Sequence, residues 1–141
     1  MRSAAPTIVF VTVVLAGCAS SSEQREAGDA GCTISYRGVL QQNGENLNRL
    51  KTGMTRAEVV STMGDCVVRG RGGPYDNPFR SDVLQKGADS YEVMYYLTRR
   101  RAPFTTVSIS QATPVLLKNG ILIGWGRTAL EDTKRVLSNT R

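Results

Sequence analysis

Near its start the chain carries a hydrophobic run interrupted by Thr12 alone, residues 8–15 (IVFVTVVL), behind a single positive residue, Arg2. The run is too short to span a bilayer, which takes roughly 20 apolar residues in a helix. Basic, then apolar, then small is the plan of a secretory signal peptide. Residues 19–31 (ASSSEQREAGDAG) are small and polar with no apolar period, so they read as a flexible linker.

Residues 32–42 open the folded part. In residues 45–51, Leu47 and Leu50 lie three apart and predict a short helix, with Gly53 suited to the left-handed position behind it. A stronger signal follows. Thr55-Arg56-Ala57-Glu58 is a capping box ahead of Val59, Val60 and Met63, with Met54 placed to staple onto Val59 and Gly64 ending the helix. Residues 67–89 are rich in Gly, Pro, Asp and Arg and read as a long loop, of the kind that is functional or disordered.

Residues 90–98 (SYEVMYYLT) alternate. Tyr91, Val93, Tyr95 and Leu97 share one face and Glu92, Met94, Tyr96 and Thr98 the other, which predicts a half-buried antiparallel strand closed by Arg99, Arg100 and Arg101. Asn119-Gly120 between apolar runs predicts a hairpin, because both central positions of a type I′ turn need positive φ. Residues 104–110 are β-prone and read as either a separate strand or the front of the next one, and Pro114 belongs at a strand start or an edge. Thr128 and Glu131 repeat the capping pattern, which leaves a short C-terminal helix through Leu137 or a frayed tail. The expected fold class is α+β: two short N-terminal helices packed on a three-stranded antiparallel meander, in two layers.

The apolar opening ends in Leu15-Ala16-Gly17-Cys18. This resembles the bacterial lipobox, which implies cleavage before Cys18 and a diacylglyceryl group plus an N-acyl chain on that residue. Domains divide accordingly into signal peptide 1–17, lipidated Cys and linker 18–31, and a folded part 32–141. One acyl chain binds a membrane only marginally, and several hold a protein there. Ala19 stands where an inner-membrane lipoprotein carries Asp, so the resemblance implies the outer membrane, facing the periplasm.

Composition then narrows the chemistry. The chain has 141 residues, 18 Lys+Arg against 12 Asp+Glu, no His and three Cys. Export makes nucleic acid a remote partner for this positive charge and brings anionic head groups or acidic protein surfaces nearer. Without His there is no Ser-His-Asp triad and no usual zinc ligand. The carboxylates show no paired spacing, and residues 70–73 (GRGG) lack the P-loop pattern. No enzyme, metal or cofactor beyond the acyl groups is expected. Cys32 and Cys66 flank the two helices, and a disulfide there would close a loop of about 35 residues and contribute about 3–4 kcal/mol. The alternative is a buried free Cys66 and an exposed Cys32.

Residues 50–68 (LKTGMTRAEVVSTMGDCVV), then a strand and residues 113–126 (TPVLLKNGILIGWG), resemble the SmpA/OmlA/BamE-type outer-membrane lipoprotein domain. The motif positions are Gly53, Met54, Thr55, Val59, Met63 and Gly64. BamE-like lipoproteins also share segments like residues 77–81 (NPFRS), residues 91–96 (YEVMYY) and residues 124–126 (GWG). Where the family carries Pro two residues beyond the helix-ending Gly, this chain has Cys66. The resemblance implies a lipid-anchored, non-enzymatic interaction module that supports outer-membrane assembly or integrity, with an envelope protein or anionic lipid as partner. Arg69, Arg71, Phe79 and Arg80 in the long loop, with Arg99, Arg100 and Arg101, are the candidate contacts. The alternative is a BLIP-like inhibitor or ligand-sequestering domain in the periplasm.

Overall fold

A computed structural model describes residues 32–70, 73–102 and 105–139. Its elements run β1 (Thr33–Ser35), α1 (Tyr36–Leu47), α2 (Arg56–Met63), β2 (Val67–Gly70), β3 (Gly73–Tyr75), β4 (Arg80–Lys86), β5 (Asp89–Leu97), β6 (Ala112–Lys118), β7 (Ile121–Trp125) and α3 (Gly126–Ser138). The class is α+β, as expected, but there are two sheets: a three-stranded one in the order β1-β2-β3 and an antiparallel four-stranded one in the order β4-β5-β6-β7.

The expected single meander is therefore corrected. Residues 67–89 are not a loop, since they hold β2, β3 and β4. The first two strands of that stretch are four and three residues long, and β4 is exposed along most of its length. None carries a long apolar alternation, and pairing with β1 and β5 supplies what local pattern does not. Among the described residues of 104–110, 105–108 are irregular and a 3₁₀ turn begins at Ile109, so the strand expected there is absent.

The first helix begins nine residues earlier than expected, at Tyr36 rather than Glu45. Ser35 caps it, its Oγ accepting from the Gly38 N–H at 3.0 Å. Its buried positions are Val39, Asn43 and Asn46, a helical spacing in which two of three residues are polar. The second helix is built as read. The Glu58 N–H donates to Thr55 Oγ1 at 3.3 Å, and the Thr55 N–H donates to Glu58 Oε2 at 2.7 Å. Asn119 and Gly120 both take positive φ, 51° and 77°, and turn β6 into β7.

The core lies between the α1–α2 pair and one face of the larger sheet. Leu50, Val59 and Met63 meet Met94, Tyr96, Val115, Leu117 and Leu122, with Met54 packed against them. β5 is buried on both faces, not one: Met94 and Tyr96 are sealed on the α1–α2 side, and Tyr91, Val93 and Leu97 are buried on the other. The second burial follows from α3, which crosses the far face over β6 and β7 and comes so close that a Cβ on Gly124 would lie 3.2 Å from Ala129 Cβ. α3 starts at Gly126, so Thr128 is inside the helix and Glu131 pairs with Lys134 instead of capping.

Pro114 sits within β6, opposite Tyr95. The Tyr95 carbonyl faces β4, where the Phe79 N–H meets it at 2.8 Å. Pro114 therefore faces the β7 side, beyond the last β6–β7 pair at Val115–Trp125, where no ladder bond is lost.

Cys32 and Cys66 are joined. β1 and β2 run parallel with Thr33 opposite Val67, so the residues just before each strand lie side by side, Cα to Cα 4.6 Å. The disulfide extends that pair by one position, and the Val67 N–H donates to the Cys32 carbonyl at 2.8 Å.

A buried amide pair ties these parts together. Asn43 Nδ2 donates to Asn77 Oδ1 at 3.0 Å and to the Leu97 carbonyl at 2.9 Å. Asn77 Nδ2 donates back to Asn43 Oδ1 at 3.1 Å and to the Gly64 carbonyl at 3.0 Å. Helix α1, the end of α2, the turn before β4 and the end of β5 meet at this point.

Candidate functional site

The N-terminal root of the domain gathers positive charge. Ser35 pairs with Arg69 across β1 and β2, and Arg37 follows one residue into α1. Gly70 lies against Tyr36, where a Cβ would sit 3.3 Å from Tyr36 Cβ, so a side chain there would force strand and helix apart by a few tenths of an ångström. The Tyr36 hydroxyl donates to the Arg99 carbonyl at 3.3 Å and fastens the segment after β5 to the same place. A cavity of about 260 Å³ is lined by Tyr36, Arg37, Gly70, Arg101 and Val107. A second, of about 290 Å³, is lined by Arg37, Leu40, Gln41, Thr98 and Arg100.

Arg37 thus lines both hollows, with Arg101 at one and Arg100 at the other, and Tyr36 ties down the backbone at Arg99. Arg69 lines a separate hollow of about 400 Å³ with Val67, Gly70, Gly73 and Pro74. The ion pairs among the described residues are Arg56–Glu92, Arg80–Asp82, Lys118–Asp89, Lys134–Glu131 and Arg135–Asp132, and none draws on this group. Uncompensated guanidinium groups around shallow apolar hollows are suited to phosphate or carboxylate, which they bind through paired N–H donors. Arg101 is partly committed, since its Nη1 donates to the Thr105 carbonyl at 2.9 Å.

The remaining predicted contacts do not join. Phe79 is half-buried and packs on Tyr75, ring centres 5.8 Å apart, so it serves the fold. Arg80 is on β4 rather than in a loop, and its Nε donates to Asp82 at 2.7 Å. Cys18 and Arg71 lie outside the described residues. Arg37 was missed because residues 32–42 showed no apolar period from which to place it.

A larger concavity, about 540 Å³, runs between α3 and the β4–β5 face. Tyr91, Val93 and Tyr95 form its floor, and Leu130 and Leu137 of α3 flank it. Burial pushes the hydroxyl of Tyr95 up from its usual range. Among the described residues no three His, Cys, Asp or Glu side chains gather as metal ligands. No helix among them is long and apolar enough to cross a membrane.

Fold and surface define the class: a small, disulfide-stapled α+β domain with a cationic face at its N-terminal root. The chain belongs to the family described as Protein of unknown function (DUF3192), whose model matches residues 27–132. No curated protein and no solved structure gives a match.

Proposed function

We propose that this chain is a lipid-anchored envelope protein of the BamE-like kind, cut before Cys18 and held on the periplasmic face of the outer membrane. There it acts as a non-enzymatic interaction module in outer-membrane assembly or integrity. One observation carries the reading: the cationic face lies at residues 35–37, directly after the segment that leads from Cys18. A small polar linker of the length of residues 19–31 has a reach on the order of 20 Å, which lets the domain come down onto the bilayer surface. The face at the linker's end is the one turned toward head groups. Near an anionic surface each Arg contributes about 1 kcal/mol, fading beyond a Debye length of about 8 Å.

Mass spectrometry of the mature N-terminus tests the anchor. The expected product begins at Cys18 and carries acyl chains, and a fatty-acid-free N-terminus would remove the basis for the reading. Flotation with anionic vesicles tests the face: Arg100→Glu with Arg101→Glu weakens association of the lipidated protein. A Cys18→Ser form that keeps full activity free in solution would favour the inhibitor or sequestering reading instead.

A further inference from the structure

The two edges of the four-stranded sheet are finished differently. At β7 the turn between α1 and α2 closes the edge: the Gly53 N–H donates to the Leu122 carbonyl at 2.9 Å, the Leu122 N–H to the Met54 carbonyl at 2.8 Å and the Arg56 N–H to the Gly120 carbonyl at 2.8 Å. At the other end, among the described residues, β4 pairs only with β5.

The direction of each peptide group on β4 follows from the register. Tyr95 turns its carbonyl to β4, and Val93 and Tyr91 follow at the alternate positions. Their partners Arg80, Asp82 and Leu84 bond inward, as does Lys86 beside the Gly87–Ala88 turn. The N–H and C=O groups of Ser81, Val83 and Gln85 therefore point away from the sheet, and among the described residues no strand takes them up. Proteins blunt such edges with charge, proline or bulges. Here the charges stand at the ends, and the middle is Val83 and Leu84, 61% and 49% exposed.

We propose that the β4 edge is a homodimerisation surface, occupied by β4 of a second copy of this chain in antiparallel pairing. The strand's charge pattern is self-complementary. A two-fold axis at Leu84 sets Leu84 against its own copy, and sets Asp82 against Lys86 of the partner subunit at both ends. In that register the outward groups of Val83 meet those of Gln85 of the partner subunit, so the ladder bonds are satisfied. An axis one residue earlier, at Val83, would oppose Arg80 to Lys86 of the partner subunit, like charge on like, which is unfavourable. The contact is isologous and closes on itself as a dimer, joining two four-stranded sheets into one. Leu84 also lines the concavity beneath α3, so pairing would extend that groove across the axis.

Cysteine crosslinking of the full chain in cells tests the surface and its register together. At the axis the two Leu84 positions form a non-hydrogen-bonded pair, whose Cα separation of about 4.5 Å lies within the span of a disulfide. Leu84→Cys gives an oxidation-dependent dimer band over the background set by the unsubstituted chain. Ser81→Cys, set against Gly87 of the partner subunit, gives several-fold less. Val83→Pro added to Leu84→Cys abolishes the band while leaving the fold, because the N–H it removes is an outward one. Asp82→Lys weakens crosslinking, and adding Lys86→Asp restores it. No dimer band, equal bands at residues 81 and 84, or a crosslink to a different protein's strand would each overturn the proposal.

Discussion

Replacing Asn43 by Leu probes the joint that holds the two layers in register. The two side chains branch alike with four heavy atoms each, Leu being the larger, so the change removes hydrogen bonds without opening a cavity. Asn43 is 0% exposed and takes part in three such bonds, two to the Asn77 amide and one to the Leu97 carbonyl. At about 1 kcal/mol net for each, the direct loss is about 3 kcal/mol. Stranding the Leu97 carbonyl and part of the Asn77 amide in a dry site adds about 1–2 kcal/mol, for a total of about 4–5 kcal/mol. That is a large share of the roughly 5–15 kcal/mol that holds a domain of this size together. Urea unfolding of the oxidised protein measures it, with the midpoint falling at an unchanged slope. A double-mutant cycle with Asn77→Leu should return a coupling of about 1–3 kcal/mol, because the two amides share two bonds. A loss under about 1 kcal/mol for Asn43→Leu, or additivity within about 0.5 kcal/mol, would refute the assignment of this pair as a joint.

Opening the disulfide by Cys32→Ser with Cys66→Ser releases a loop of 34 residues' separation. This should cost about 3–4 kcal/mol and lower the Tm by on the order of 15 °C in a calorimetric scan. Gly124→Val drives a side chain into Ala129 and should cost about 1–3 kcal/mol in the same scan, since α3 must lift from β7. The pH profile of stability should fall at both ends. Glu58 is held below its ordinary 4.5 by the Thr55 backbone N–H, and Asp89 below its ordinary 3.8 by Lys118 and then Asn119. Their stabilisation is present above those values and is lost as pH drops beneath them. Burial pushes the Tyr96 hydroxyl from 10.0 up to about 12, so its protonated form is favoured in the fold, and stability falls as pH rises between those values. A flat unfolding midpoint across the alkaline interval would show that Tyr96 is solvated.

Features legible in the sequence are those that depend on a few adjacent residues. The capping box at Thr55 and Glu58 and the turn at Asn119 and Gly120 each need only local chemistry. α1 was displaced in the reading because the helical spacing of its buried face runs through Asn43 and Asn46, whose burial depends on partners far along the chain. β2, β3 and β4 were hidden for a related reason. Gly70, Gly73 and Pro74 read as loop, and what makes them strands is pairing with β1 and with one another. The second buried face of β5 was invisible until α3 was seen to cover it. The cationic face was half legible: Arg99, Arg100 and Arg101 form an obvious run, but only the packing of α1 beside them brings Arg37 to it.

The bond between Cys32 and Cys66 also decides where mechanical load goes. A pull arriving from the N-terminal side reaches Cys32 and passes straight across the sulfurs to Cys66, one residue from β2. Everything between, including α1, α2 and their joint with the rest of the protein, hangs as slack off the line of force. Tension that would otherwise peel the first helix away is delivered to a strand already hydrogen-bonded on both sides.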